Sequence, residues 1–304
     1  MNRTLFNLYG CSQFNESIIQ SFGFVEGDCQ IHYFPDGESI VRLNTAIDGH
    51  EILLIANLVD PNPKLFPLII TAETARQLGA KKVHLFVPYL PYMRQDMQFH
   101  ANEGITSRYF AKIISQYFDS LLTIEPHLHR WHDLTDIYSI PATALHPYLP
   151  ICAWLKDHIA KPLLIGPDRE SEQWISRIAK LMDAPFVVFD KVRHGDKHVE
   201  ISSPSLASFA GFHPVIIDDV ISTGHTMLKI LRYLHNNDFK ENSCIGVHAL
   251  FADDAYEQLK AAGATNIITC NSITHPSNQI DLSISIEDYL KINLLNPNIQ
   301  PLKS

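Results

Sequence analysis

The chain is poor in the features that would mark a secreted, membrane or nucleic-acid-binding protein. Its five cysteines, Cys11, Cys29, Cys152, Cys244 and Cys270, are odd in number, scattered and never spaced as CxxC. That excludes both a disulfide framework and a zinc ribbon, and leads to the expectation of a reducing compartment. No apolar run approaches the ~20 residues that a membrane helix needs, and the opening MNRTLFNLYGCSQF lacks the continuous apolar segment of a secretory signal. Positive charge is in deficit: 24 Lys and Arg stand against 33 Asp and Glu, a formal net charge of -9. A general affinity for nucleic acid or an acidic membrane is therefore not expected. Low-complexity segments and short repeats are absent. What remains, 46% hydrophobic and 19% charged over 304 residues, is an ordinary globular composition at a length where one core tends to split. A cytoplasmic protein of two domains is expected.

Strand-length apolar runs alternate with segments of helical period, the pattern of an α/β protein with largely parallel sheets. EILLIANL, VHLFVPYL and LLTIEP read as strands in the first half, with LFPLIITAETARQLGA and TSRYFAKIISQYF as helices between them. PLLIGPD, FVVFDKVR, PVIIDDV, SCIGVHALF and NIITCNS read as strands in the second half, with helices SEQWISRIAKLM, TMLKILRYLHNN and DAYEQLKAAG. Two similar units follow, 1–146 and 147–304, joined near the proline-rich IPATALHPYLPI. In IHYFPDGESIVRL two alternating runs flank Pro35-Asp36-Gly37, which predicts a hairpin. The polar tail after Leu295 is expected to be poorly ordered.

VIIDDVISTGHT, residues 215 to 226, places Asp218 and Asp219 at the carboxyl end of a strand buried on both faces. Ligands bind at that edge of an open α/β sheet. Ser222, Thr223, Gly224, His225 and Thr226 follow and lead into a helix whose first turn favours a phosphate. Adjacent carboxylates would repel that phosphate unless they serve another part of the ligand, and ribose hydroxyls resolve the conflict. The competing reading is an acidic first turn that caps a helix.

This loop resembles the ribose 5-phosphate loop shared by type I phosphoribosyltransferases and ribose-phosphate pyrophosphokinases. Three further segments resemble the pyrophosphokinases alone. The hairpin tip with Phe34, Asp36 and Glu38 is similar to the family's ATP motif, in which the ring packs on adenine. The resemblance implies that the tip reaches the ATP site of a neighbouring subunit, and so a homo-oligomer, a dimer or an assembly built from dimers. PYMRQD implies that Arg94, Gln95 and Asp96 line the ATP pocket; the Arg94 fork can bond two phosphate oxygens at once. In LLTIEPHLHRWHD the resemblance puts a ligand of the magnesium of Mg-ATP on His127, with His129 as alternate; a His-x-His pair also suits zinc in a hydrolase.

In LLIGPDRESEQW, Asp168 would contribute to ribose or metal binding. Here the chain departs from the family, carrying Arg169, Glu170 and Ser171 where glycine is common. Lys191 and Arg193, read as the end of one strand FVVFDKVR, resemble the start of the catalytic loop. The implied fold is two phosphoribosyltransferase-like domains with a β-hairpin. The implied reaction transfers the β,γ-diphosphoryl group of ATP to ribose 5-phosphate, with Mg2+ as cofactor. A non-catalytic regulatory homologue and a type I phosphoribosyltransferase are the rival readings.

Overall fold

Uninterrupted runs such as Ile52–Ala56 and Val215–Ile217 are shielded from solvent on both faces, which a parallel sheet covered by helices provides. The computed structural model describes residues 2–10, 12–194, 198–202 and 206–287, without the side chains of 190–205. The tail after Leu295 lies outside the described residues. Packing divides the chain into two units, one of the residues up to His146 with those from Ser283, the other Pro147–Leu282.

The first unit runs β1 (Arg3–Leu8), α1 (Asn15–Phe22), β2 (Val25–Glu26), β3 (Cys29–Tyr33), β4 (Ser39–Leu43), β5 (Glu51–Ala56), α2 (Asn62–Gln77), β6 (Lys82–Val87), α3 (Thr106–Tyr117), β7 (Ser120–Ile124) and β8 (Ala142–Leu145). Its six-stranded sheet has the order β2-β1-β5-β6-β7-β8, parallel throughout. β3 and β4 form a separate antiparallel hairpin around the Pro35-Asp36-Gly37 turn, where Gly37 has φ +90°.

The second unit runs α4 (Tyr148–His158), β9 (Pro162–Gly166), α5 (Glu172–Met182), β10 (Phe186–Val188), β11 (Asp190–His194), β12 (His198–Ser202), β13 (His213–Ile221), α6 (His225–Asn236), β14 (Asn242–Ala249), α7 (Ala255–Ala261), β15 (Ala264–Cys270) and β16 (Asn278–Ile280). Its parallel sheet has the order β10-β9-β13-β14-β15-β16, and β11 pairs only with β12. Met227, Leu228, Ile230, Leu231 and Leu234 bury one stripe of α6 in the core under this sheet, each stabilised by roughly 1.5–3 kcal/mol relative to exposure.

With the hairpins set aside, both sheets have the same order when numbered within their unit, 2-1-3-4-5-6. Each hairpin is inserted between the second and third sheet strands of its unit. The order reverses beside β1 and β5 in the first unit and beside β9 and β13 in the second, and crevices at such points hold ligands.

Two sequence expectations are corrected. FVVFDKVR is two strands, because Phe189 turns into the core with no exposure and its amide donates to the Gly166 carbonyl at 2.9 Å. Lys191 and Arg193 therefore lie on hairpin strand β11, not at the end of β10. β13 continues past Asp218 and Asp219, because buried Val220 and Ile221 still pair with His248 and Ala249. The proline-rich IPATALHPYLPI, within which the packing division falls, also carries β8 and the start of α4. Among the described residues no helix is long and apolar enough to cross a membrane.

Candidate active site

At the reversal point of the second unit, β9 and β13 are neighbours through the pairs Leu164–Val215 and Ile165–Ile216. Their C-terminal portions thus bring Asp168 into the electrostatic surroundings of Asp218 and Asp219. Burial foremost, then Asp219 and Asp168, push the Asp218 carboxyl well above the usual carboxylate range. Each group adds negative charge to a site where a neighbour already disfavours it.

Beyond β13, Ser222 to Thr226 form the turn into α6. Gly224 is its N-cap at φ +66°, a left-handed conformation open to glycine at little cost. The first amides of α6 have no acceptor within the helix by geometry, and with the helix dipole they favour an anion. The loop is held from behind: the amides of Phe251 and Ala252 donate to the carbonyls of Ile221 and Ser222 at 2.9 and 3.1 Å. Sequence reading missed this support, because it joins segments about thirty residues apart without a local pattern. Thr223 and His225 are exposed, while Ser222 and Thr226 are half-buried.

The glycine-free segment after Asp168 is a capped turn. Asp168 Oδ1 and the Asp168 carbonyl accept from the Ser171 amide at 3.2 and 3.1 Å. The Ser171 hydroxyl donates to the same carbonyl at 2.5 Å. A Cβ on Gly166 would clash with Ser171 Oγ, so glycine is needed on the strand that the serine covers. Arg169 and Glu170 are exposed.

The first unit fills its own reversal point with a lysine. Lys64 Nζ donates to the Asn57 carbonyl at 3.1 Å and to that of Val59, and Tyr9 OH donates to the Lys64 carbonyl at 2.9 Å. Its candidate ligand groups instead follow β6 and β7, and sit on the hairpin. At the hairpin tip Phe34 is 43% exposed and meets His32 edge-on at 4.9 Å. Asp36 Oδ1 accepts from the Glu38 amide at 3.2 Å, and both residues are exposed.

After β6, Arg94 and Gln95 are exposed. The Asp96 side chain is only 2% exposed and pairs with Arg130 at 2.8 Å. After β7, Glu125 has φ +33°, and its carboxylate lies 3.0 Å from His146 Nδ1. His127 and His129 approach with ring centroids 3.6 Å apart, and each offers a ring nitrogen within 4.8 Å of the other's. The side chains of Lys191 and Arg193 lie outside the described residues; their backbone pairs Lys191 with Ile201 and Arg193 with Val199. The structure thus gathers Asp168, Asp218 and Asp219 around one loop of the second unit. In the first unit it joins the arginine loop to the histidine loop and keeps the hairpin tip on an element of its own.

Residues 3–117 match the N-terminal domain of ribose phosphate pyrophosphokinase, and residues 151–286 match the phosphoribosyl transferase domain. The ribose-phosphate pyrophosphokinase of Saccharolobus solfataricus is 32% identical over 264 residues, covering 86% of this chain and 89% of the relative. That of Sulfurisphaera tokodaii is 30% identical over 250 residues, covering 81% and 85%. The crystal structure of phosphoribosylpyrophosphate synthetase from Mycobacterium smegmatis shares the fold with a TM-score of 0.85, covering 97% of this chain and all of that one, at 17% identity. With both halves matched in order and these relatives aligned over most of their length, the chain belongs to the ribose-phosphate pyrophosphokinase family.

Proposed function

We propose that the chain transfers the β,γ-diphosphoryl group of ATP to the C1 hydroxyl of ribose 5-phosphate, giving phosphoribosyl pyrophosphate and AMP. This is the activity for which its relatives are named. The observation that carries it is the set of three carboxylates beside a helix-start loop. Asp218 is raised by burial and by its acidic neighbours, so the site suits partners that donate hydrogen bonds or carry positive charge. Ribose hydroxyls supply the donors, and the Ser222–Thr226 loop takes the 5-phosphate. The second unit is thus the acceptor domain.

The first unit is the donor domain. Arg94 and Gln95 take the polyphosphate, Arg94 by a two-pronged contact. Phe34, Asp36 and Glu38 bind the nucleotide of a neighbouring subunit, so a homo-oligomer is the active form. Lys191 and Arg193 offset charge on the transferring group. Catalysis in this arrangement is positioning plus electrostatic stabilisation, with no covalent enzyme intermediate.

A divalent cation fits the donor sets: paired imidazoles at His127 and His129 in one unit, crowded carboxylates at Asp168 and Asp219 in the other. We assign it as Mg2+, held in the first unit by His127 with His129 as alternate. When bound it supplies charge neutralisation on the phosphate oxygens. Among the described residues Cys29, Cys152 and Cys244 are free thiols, which supports a cytoplasmic setting.

The test is AMP formation from Mg-ATP with and without ribose 5-phosphate, the sugar product being weighed by mass. AMP that appears only with the sugar, together with phosphoribosyl pyrophosphate, is expected. Release of a free base would identify a phosphoribosyltransferase, and binding of both ligands without turnover a regulatory homologue. His127→Ala is expected to raise the metal concentration for half-maximal activity about 10–100-fold, and His129→Ala to raise it less. The reverse ranking moves the metal to His129.

A further inference from the structure

Asp96 stands apart from the two residues before it. Arg94 and Gln95 face solvent, whereas the Asp96 side chain is 2% exposed and its Oδ1 accepts from Arg130 Nη1 at 2.8 Å. Arg130 lies one residue beyond His129, on the loop that follows the neighbouring sheet strand. β6 and β7 are paired, Val87 against Thr123, so their C-terminal loops emerge side by side. Two more contacts fasten them. The Arg130 guanidinium lies 5.9 Å from the Phe99 ring centroid, and Arg108, in the first turn of α3, lies 5.0 Å over Trp131. The Ser107 amide, beside Arg108, donates to the Gln95 carbonyl at 3.2 Å. The loop of exposed Arg94 and Gln95 and the loop of His127 and His129 are therefore one packed body, linked by the ion pair between half-exposed Arg130 and buried Asp96.

We propose that Arg130 is a positioning residue: through the buried Asp96 carboxylate it holds the Arg94–Gln95 loop and the His127–His129 loop in register, so that nucleotide and metal affinity are set together. The proposal rests on the assignment of these two loops to ATP and the metal. Asp96 then acts by anchoring Arg130, not by touching the nucleotide. A planar fork that bonds one carboxylate while its face lies near an aromatic ring is a geometry that arginine fills and lysine does not.

The test uses the full chain and reads equilibrium binding: ATP by calorimetry in the absence of metal, and Mn2+ by electron paramagnetic resonance in the absence of nucleotide. Thermal melts and turnover are measured alongside. Arg130→Ala and Asp96→Asn are each expected to weaken both ligands about three- to tenfold. The double variant should be no weaker than the worse single, because one link has been cut twice. Arg130→Lys keeps the charge without the fork and should recover part of the loss; it also serves where Arg130→Ala fails to fold. Ribose 5-phosphate affinity should not move. Weaker ATP binding in Arg130→Ala with Asp96→Asn unchanged would overturn the proposal in favour of a direct phosphate contact. A lower melting temperature with both affinities intact would reduce the pair to a structural tie. If the unmodified protein binds neither probe, the assignment of the loops fails, a result distinct from either of these.

Discussion

Asp218→Asn is expected to stabilise the ligand-free protein while removing most of its turnover. The carboxyl is raised by burial first and by Asp219 and Asp168 next, so its charge is unfavourable in the folded state until a ligand answers it. A group whose folded pKa lies above its unfolded one gives its full stabilisation below the unfolded value, about 3.8. That contribution is lost as pH rises through the folded value. The unmodified site therefore loses stability as pH rises above the unfolded value, and the amide, which never ionises, escapes this loss. If the relief is about 1 kcal/mol, Tm rises by roughly 2–4 °C for a unit of this size.

The pH dependence separates this account from a packing effect. The gap in Tm between Asp218→Asn and the unmodified protein should widen as pH rises and close as pH falls toward that of a free carboxylate. A packing improvement would keep the gap constant. Turnover moves the other way: loss of hydrogen bonds to a charged acceptor, about 1.5–3 kcal/mol, lowers kcat/KM about 10–100-fold. A variant that is both less stable and less active would show that Asp218 holds the loop's structure and not the sugar.

The buried strands were legible because nothing interrupts them. Ile52 to Ala56 and Val215 to Ile217 have one chemistry on both faces, and no other element of that length requires it. The hairpin was legible at Pro35-Asp36-Gly37 for the opposite reason, a turn with few alternatives. The join near IPATALHPYLPI was placed by its prolines, and the packing division at His146 and Pro147 falls within that stretch; the strand and helix start that it also carries had no comparable signal. Pro141 and Pro147 flank β8, and Pro150 lies in the first turn of α4, where a missing N–H removes no helical bond. The Asp218–Asp219 loop stood out as a candidate because its strand, acids, glycine and hydroxyls are contiguous. The Arg130–Asp96 link could not, since its partners are 34 positions apart and meet only because β6 and β7 are adjacent. The lysine that fills the first unit's reversal point was hidden for a similar reason. Burial lowers the pKa of Lys64, and its carbonyl partners carry no sequence signal.

Lys191→Ala is expected to lower kcat about 10²–10³-fold, the scale of removing one charged group that acts on a transferring phosphoryl, with ribose 5-phosphate affinity retained. The placement follows from topology. β11–β12 occupies the same position in its unit as β3–β4 in the other, after the second sheet strand and before the third, and so beside the reversal point from which the Ser222–Thr226 loop leads off. In one unit this inserted hairpin carries an aromatic ring and acids at its tip; in the other its first strand carries Lys191 and Arg193. Cations on an element outside the sheet can meet charge that develops during transfer without being built into the acceptor loop. kcat and kcat/KM for ATP should therefore fall together, the sign of an interaction made only in the transition state. Arg193→Ala should behave likewise, and the double variant should lose less than the product of the singles if the two cations act as a unit. Calorimetric titration with ribose 5-phosphate decides between this role and binding: an affinity loss equal to the loss of turnover would assign Lys191 to the sugar phosphate and leave the diphosphoryl group without its cation.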